Sequence, residues 1–362
     1  MDSVAIVMGF GAPAGVPPIL GRERETSRRA RDGRAILGDV PSLRPRRVTS
    51  ARPASGPAIA VLGDLALDVV VAPNGPLVGG TDVPGRVSLR QGGSAATTAR
   101  VAATLGARVS FVTSVGRDAV GRSLVADLTS AGVGVRAFHA TAVPTARIAV
   151  VVSDGERSFV ADRGAADALP PAHLEPAWFR RADLLHLPAY SLIGRPLAEA
   201  ALRAVELTRA AGGVVSLDLA SAGPLAAGGR EAARRLVRSV APDLVFATAA
   251  EADVVRGAGD FADLLELAPV VVIKRGSDGA SVLARRDVAA APVIRFDVAT
   301  RPFRAADPTG GGDAFDAGFL VAWLRVPRDR WRSVAALRRG AVAGNAAAGR
   351  YLASRRRELV LG

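Results

Sequence analysis

Residues 59–71, from Ile59 to Val71, are apolar at almost every position, as a strand buried on both faces should be. Asp64 and Asp68 interrupt the run, and an acid in such a place has either a partner, a ligand or a strand end facing water. From about 180 onward short apolar runs alternate with helical periodicity. Leu184–Leu187, Val214–Asp218, Leu244–Phe246 and Val270–Lys274 read as strands, with helices near 195–211 and 229–240. Alternation of this kind predicts a parallel sheet covered by helices on both faces. Asp218, Glu251, Lys274 and Gly276 fall at or just after strand ends, where ligands bind in such sheets. Residues 147–152 and 157–160 flank Asp154-Gly155, the pattern of a β-hairpin.

Two glycine clusters each open a helix. Gln91-Gly92-Gly93-Ser94 precedes the small-residue stretch Ala95 to Leu105. Gly310-Gly311-Gly312-Asp313 precedes Phe315, Phe319, Ala322 and Trp323, which share one helical face. Without a Cβ the backbone approaches a ligand closely. Unpaired N–H groups at a helix start, reinforced by the helix dipole, form an anion site. Asp313 stands at that mouth. Its local alternatives are a helix N-cap and a base that takes a proton from a hydroxyl attacking a phosphoryl group.

Composition narrows the class. The 362 residues are 49% hydrophobic and 22% charged, ordinary values for a globular chain. Cysteine is absent, so neither disulfides nor thiolate metal sites are available. No apolar run reaches the roughly 18 residues needed for a membrane span. The formal charge of +13 comes almost wholly from arginine, Lys274 being the only lysine. The arginines are dispersed and aromatics make up 4%, unlike a nucleic-acid surface with its clustered charge and interleaved aromatics. Residues 1–57 stand apart as a basic, Pro/Arg-rich, disordered extension, followed by one domain over 58–362. Gly9 to Ala14 imitates a dinucleotide fingerprint, but Pro13, Pro17 and Pro18 oppose the helix it requires. Asp2 occupies the place of a positive signal-peptide n-region, and a cytoplasmic location is expected. His139, His173 and His186 have no metal-ligand spacing.

Asp307-Pro308-Thr309-Gly310-Gly311-Gly312-Asp313-Ala314-Phe315 resembles the C-terminal signature of the ribokinase-like, or phosphofructokinase-B-type, carbohydrate kinases. Gln91 to Gly106, continued by Val115-Gly116-Arg117-Asp118-Ala119-Val120-Gly121, is similar to their N-terminal signature. No Gly-x-x-x-x-Gly-Lys-Ser/Thr motif is present, which argues against a P-loop kinase.

The resemblance, over about 58–356, implies an α/β three-layer sandwich with a mostly parallel central sheet. It also implies a small β-sheet lid, formed by about 70–90 and 145–163, that excludes water and pairs two copies into a homodimer. The implied reaction is ATP-dependent phosphorylation of a hydroxyl on a sugar or sugar-containing small molecule. Asp313 would be the base and Gly310, Gly311 and Gly312 the anion hole. Asp68, Gly92, Gly93 and Thr97 would hold substrate, Thr97 replacing the family's usual Asn. Lys274, Gly276, Gly279 and Asn345 would line the nucleotide. Glu251 would organise Mg2+ through water, with Thr248 in place of another Asn, and Asp307 with Thr309 would form a monovalent-cation (K+) loop. Within the class a nucleoside kinase is the alternative. Outside it stands a non-catalytic sugar- or nucleotide-binding relative, to which Thr97 and Thr248 point.

Overall fold

The computed structural model describes residues 56–361 except 154–155, 258, 286–292, 302–306 and 355–356. The amino-terminal extension to residue 55, with its glycine motif, therefore lies outside the described residues, as does the expected Asp154-Gly155 turn. The first elements are β1 (Ala58–Leu62), β2 (Ala66–Pro73), β3 (Gly85–Gly92), α1 (Ser94–Thr104), β4 (Arg108–Gly116), α2 (Ala119–Ser130) and β5 (Gly134–Ala140). They are followed by β6 (Ala146–Ser153), β7 (Glu156–Asp162), β8 (Leu184–Pro188), α3 (Leu197–Ala210), β9 (Val214–Asp218), α4 (Ala222–Ala226) and α5 (Gly229–Val240). The last are β10 (Leu244–Thr248), α6 (Ala249–Arg256), β11 (Val270–Lys274), β12 (Ala280–Arg285), β13 (Val293–Val298), α7 (Gly311–Leu324) and α8 (Val334–Ala353).

Nine strands form the large sheet in the order β13-β12-β11-β10-β9-β8-β1-β4-β5. Those from β11 to β5 pair in parallel, while β12 and β13 are antiparallel. Side chains alternate across the sheet with period two, so each strand feeds two cores. Ile59, Val61, Phe246 and Val272 pack with Ala99, Leu124, Phe319 and Leu337 of α1, α2, α7 and α8. Ala60, Leu62, Val245 and Val271 pack with Ala200, Val237 and Val255 of α3, α5 and α6 on the other face. The result is the three-layer sandwich expected. Phe319 is fully buried, worth about 1.5–3 kcal/mol of transfer free energy. It meets Phe246 edge-on, with ring centroids 5.2 Å apart.

The apolar run 59–71 is not one strand. It divides at Gly63-Asp64-Leu65: β1 enters the large sheet, and β2 enters a separate sheet ordered β3-β2-β6-β7. Crowding explains the break. A Cβ at Gly63 would lie 2.6 Å from Ser191 Oγ and 2.8 Å from Ala95 Cβ. Asp64, just beyond it, accepts from the backbone N–H of Ala95 at 3.1 Å and so ties the crossing to the start of α1. In the small sheet β6 and β7 pair antiparallel, from Arg147 opposite Asp162 to Ser153 opposite Glu156. No helix among the described residues is long and apolar enough to cross a membrane.

Candidate active site

The N-terminus of α7 is built by glycine conformation. Gly310 is its N-cap at φ +75°, a left-handed geometry that costs other residues about 1–2 kcal/mol. A Cβ there would also lie 2.8 Å from the Tyr351 ring. The N–H of Gly311 is engaged by Pro308 O at 3.1 Å. Those of Gly310, Gly312 and Asp313 have no hydrogen-bond partner among the described residues. The expected donor set of three glycines is thus corrected: Gly311 closes the turn, and the amide of Asp313 joins Gly310 and Gly312. Asp313 is not the N-cap; it is the third residue of the helix.

Its carboxylate meets a second helix start. Ser94, the first residue of α1, donates from Oγ to Asp313 Oδ1 at 2.6 Å. Gly93 precedes it at φ +98°, where a Cβ would lie 2.5 Å from Asp64 O. Burial pushes the Asp313 carboxyl up to about 7; the nearby charges of Asp218 and Asp64 add to this, while the Ser94 hydrogen bond and Lys274 oppose it.

Lys274 closes the floor. It is buried, with Nζ 2.9 Å from Asp218 Oδ1 and 3.3 Å from Asp316 Oδ2. The two carboxylates hold the ammonium protonated against its burial. Asp316, fully buried, is raised well above the ordinary carboxyl range by desolvation and by the neighbouring Asp218. The ammonium lies directly under the glycine turn, 3.3 Å from where a Cβ of Gly312 would be.

Two cavities meet over this floor. The larger, about 690 Å³, is lined by Asp68, Gly92, Gly93, Thr97, Gly310 and Asp313 among others. The smaller, about 240 Å³, is lined by Gly276, Gly279, Gly311, Asn345 and neighbours. Thr248, Lys274 and Gly312 line both. Asp68, Gly92, Gly93 and Thr97 thus line one cavity and Gly276, Gly279 and Asn345 the other, with Gly312 at the junction.

Two of the assigned residues have partners that the sequence did not indicate. Glu251 lines the larger cavity, not the smaller, and forms a capping box: its Oε2 accepts from Thr248 N at 2.8 Å, and Thr248 Oγ1 accepts from Glu251 N at 3.3 Å. Asp307 is ion-paired to Arg157 at 2.7 Å and to Arg90 at 3.3 Å. An alkali cation does not fit that carboxylate, because guanidinium groups stand on both oxygens.

Sequence reasoning gave no role to Ser94, Asp316, Arg163 or Tyr190. Arg163 lines the larger cavity, bonded to Asp167 at 2.7 Å and standing over the Tyr190 ring. Asp316 had a signal, an acid inside an otherwise apolar helix three residues after Asp313. The histidines are structural: His186 Nδ1 lies 2.9 Å from Ser216 Oγ inside the core, and His173 packs edge-on to Phe138 and Trp178.

Comparison with known proteins bears on the fold and the family. The chain is 33% identical over 256 residues to an ATP-dependent ribose-1-phosphate kinase of Halopiger xanaduensis, covering 67% of this chain and 78% of that one. Its fold matches an adenosine kinase from Sinorhizobium meliloti with a TM-score of 0.70 at 24% identity, over 85% of this chain and 97% of that one. It matches an ATP-bound fructokinase from Xylella fastidiosa with a TM-score of 0.71 at 21% identity, over 83% and 93%. The family model for pfkB carbohydrate kinases matches residues 57–357. With both glycine signatures inside that span and facing each other across one cleft, the chain belongs to the pfkB family of carbohydrate kinases.

Proposed function

We propose that the protein transfers the γ-phosphoryl group of ATP to a hydroxyl of an uncharged sugar or sugar-containing small molecule. The observation that carries this reading is the meeting of the two cavities at Gly312, beside a carboxyl raised to about 7. ATP occupies the smaller cavity and the acceptor the larger. As the acceptor oxygen bonds to the γ-phosphorus, its proton passes to Asp313 Oδ2 or Oδ1, the bond to the β-phosphate oxygen breaks, and ADP leaves. A base of this pKa is matched to neutral pH. The amides of Gly310, Gly312 and Asp313, with Lys274 beneath them, stabilise the charge spreading over the transferring group.

Magnesium fits as an ion carried by the nucleotide. No group of three or more potential ligands occurs among the described residues, and Mg2+ commonly keeps several waters and substrate phosphates. Glu251 and Asp218 would face it through water, where the ion neutralises phosphate charge. The small sheet, which contributes Ile148, Phe159 and Ala161 to the larger cavity, acts as a lid that excludes water. Val87 and Val160, exposed on that sheet, support a homodimer through it; sedimentation velocity tests this.

The preference for an uncharged acceptor comes from charge. Asp64, Asp68, Asp167, Asp218, Glu251 and Asp313 line the larger cavity against two cations, Arg163 and Lys274. Both cations are already paired with carboxylates, so a sugar phosphate would meet net repulsion. A second reading, a nucleoside acceptor, is favoured by the apolar mouth. Phe159 and Ile193 are 55% and 46% exposed while lining the cavity, a surface suited to a planar base. An ADP-release assay over free pentoses and hexoses, nucleosides and sugar phosphates decides among them. Turnover with sugar phosphates alone overturns the uncharged acceptor, and no turnover with any class overturns the kinase.

A further inference from the structure

Asp307 receives one arginine from each outer strand of the small sheet. Arg157 of β7 donates from Nη1 to Oδ1 at 2.7 Å, and Arg90 of β3 donates from Nη1 to Oδ2 at 3.3 Å. The same Arg157 nitrogen donates to Thr309 Oγ1, and Asp307 Oδ1 also accepts from Thr309 N at 3.0 Å. Thr309 is followed directly by Gly310, whose left-handed turn aims the unpaired amides. All three charged side chains are largely shielded, with side-chain exposures of 18%, 27% and 30% for Arg157, Arg90 and Asp307.

We propose that this Arg90–Asp307–Arg157 bridge replaces a monovalent cation and fastens the lid sheet to the anion-hole loop. A cation approaching Asp307 would face two guanidinium charges within contact distance of the same carboxylate, and like charges so placed repel strongly away from bulk water. Guanidinium groups supply what an alkali ion would: positive charge that fixes the carboxylate, and through Thr309 the turn at Gly310. They differ in one respect. They are attached to the sheet that covers the acceptor, so the loop acquires its set geometry when the sheet is down. Arg157 is thus a positioning residue, acting on the amides without touching the reacting atoms, and the protein works without K+. The argument rests on the proposed kinase reaction for its kinetic half only.

Thermal melting with ADP and Mg2+, in KCl and in tetramethylammonium chloride of equal ionic strength, tests the first half whether or not an acceptor is known. A bound cation would raise the melting temperature by mass action. The expected result is the same melting temperature in both salts; a higher value in KCl overturns the proposal. Arg157→Gln, assayed at saturating ATP and acceptor, is expected to lower kcat about tenfold or more with a smaller change in acceptor KM. Arg157→Lys, which keeps the charge, should recover part of that loss. An Arg157→Gln protein with undiminished kcat overturns the latch, while loss of every turnover in the unmodified protein counts against the kinase reading instead. Should Arg157→Gln melt too low to assay, Arg157→Lys carries the test: kcat must fall below that of the unmodified protein, since the lysine nitrogen is one bond closer to the backbone than Arg157 Nη1, which by itself reaches both Asp307 and Thr309.

Discussion

Ser94 Oγ donates to Asp313 Oδ1 at 2.6 Å, joining the first turns of two helices 219 positions apart in the chain. The bond does two things at once. It orients the carboxylate and stabilises its charged form against burial. Because Asp313 must be ionised to accept a proton, kcat/KM should rise with pH and level off above about 7. Ser94→Ala removes a pKa-lowering contact, so the rising limb should move to higher pH. An unchanged profile in that variant, measured with ADP release from pH 5.5 to about 9, counts against Asp313 as the base.

Replacing Asp313 by Asn should lower kcat by about a thousandfold or more, general-base catalysis contributing about 10²–10⁴ and charge orientation the rest. The fold should not suffer. The native carboxyl is raised to about 7 from its ordinary value of 3.8, so between those values the native state holds a proton that the unfolded chain has lost. Stability therefore falls as pH rises through that window, by up to about 1.4 kcal/mol per pH unit. Asp313→Asn removes this dependence and should be at least as stable as the unmodified protein at pH 8, as read by urea unfolding.

Gly92→Ala should act on substrate binding. A Cβ at Gly92 would lie 1.9 Å from Asp68 Oδ1, so the carboxylate must turn away from the larger cavity. Acceptor KM should rise about tenfold or more while the KM for ATP, bound on the other side of Gly312, changes little. Steady-state kinetics with each reactant varied in turn checks the split.

Lys274 is the only lysine in an arginine-rich chain, and its surroundings account for that. A compact ammonium sits between Asp218 and Asp316 under the glycine turn; a guanidinium is larger and planar. Lys274→Arg should push up against Gly312 and lower kcat about tenfold or more while the protein stays folded. Lys274→Met leaves two buried carboxylates without a cation, which costs about 3–5 kcal/mol. Circular dichroism melts alongside the assay separate the two effects.

His186 sets an acid limit. Burial pulls its pKa down to about 4 from 6.5, with Lys274 acting in the same direction and Asp218 against it. The unfolded chain therefore takes up a proton below about 6.5 that the native state refuses until about 4. Stability should fall as pH drops through that range, and His186→Gln should flatten this part of the curve in urea titrations between pH 4 and about 7.

Much of the site was legible because its chemistry is local. Glycines that bare a backbone announce themselves within a few residues, as at 92–93 and 310–312, and so does Asp313, the acid after the second set. What stayed hidden depends on register. Lys274 meets Asp218 only because β9, β10 and β11 lie side by side, with Thr248 paired to Lys274 across the sheet. Asp307 meets Arg90 and Arg157 only because a second sheet folds over the loop. Thr248 and Glu251 show a legible signal attributed to another cause: Thr-x-x-Glu at a strand-to-helix junction is also the pattern of a capping box. The division of 59–71 between two sheets was legible only in part, since Gly63 marked the break while the hydrophobicity ran through it.

The two cavities open separately and share only Thr248, Lys274 and Gly312 as common wall. Donor and acceptor can thus each arrive and depart without displacing the other, and direct in-line transfer demands that both be resident together. Initial-rate plots should accordingly intersect rather than run parallel, and no phosphorylated protein should accumulate when ATP is supplied alone.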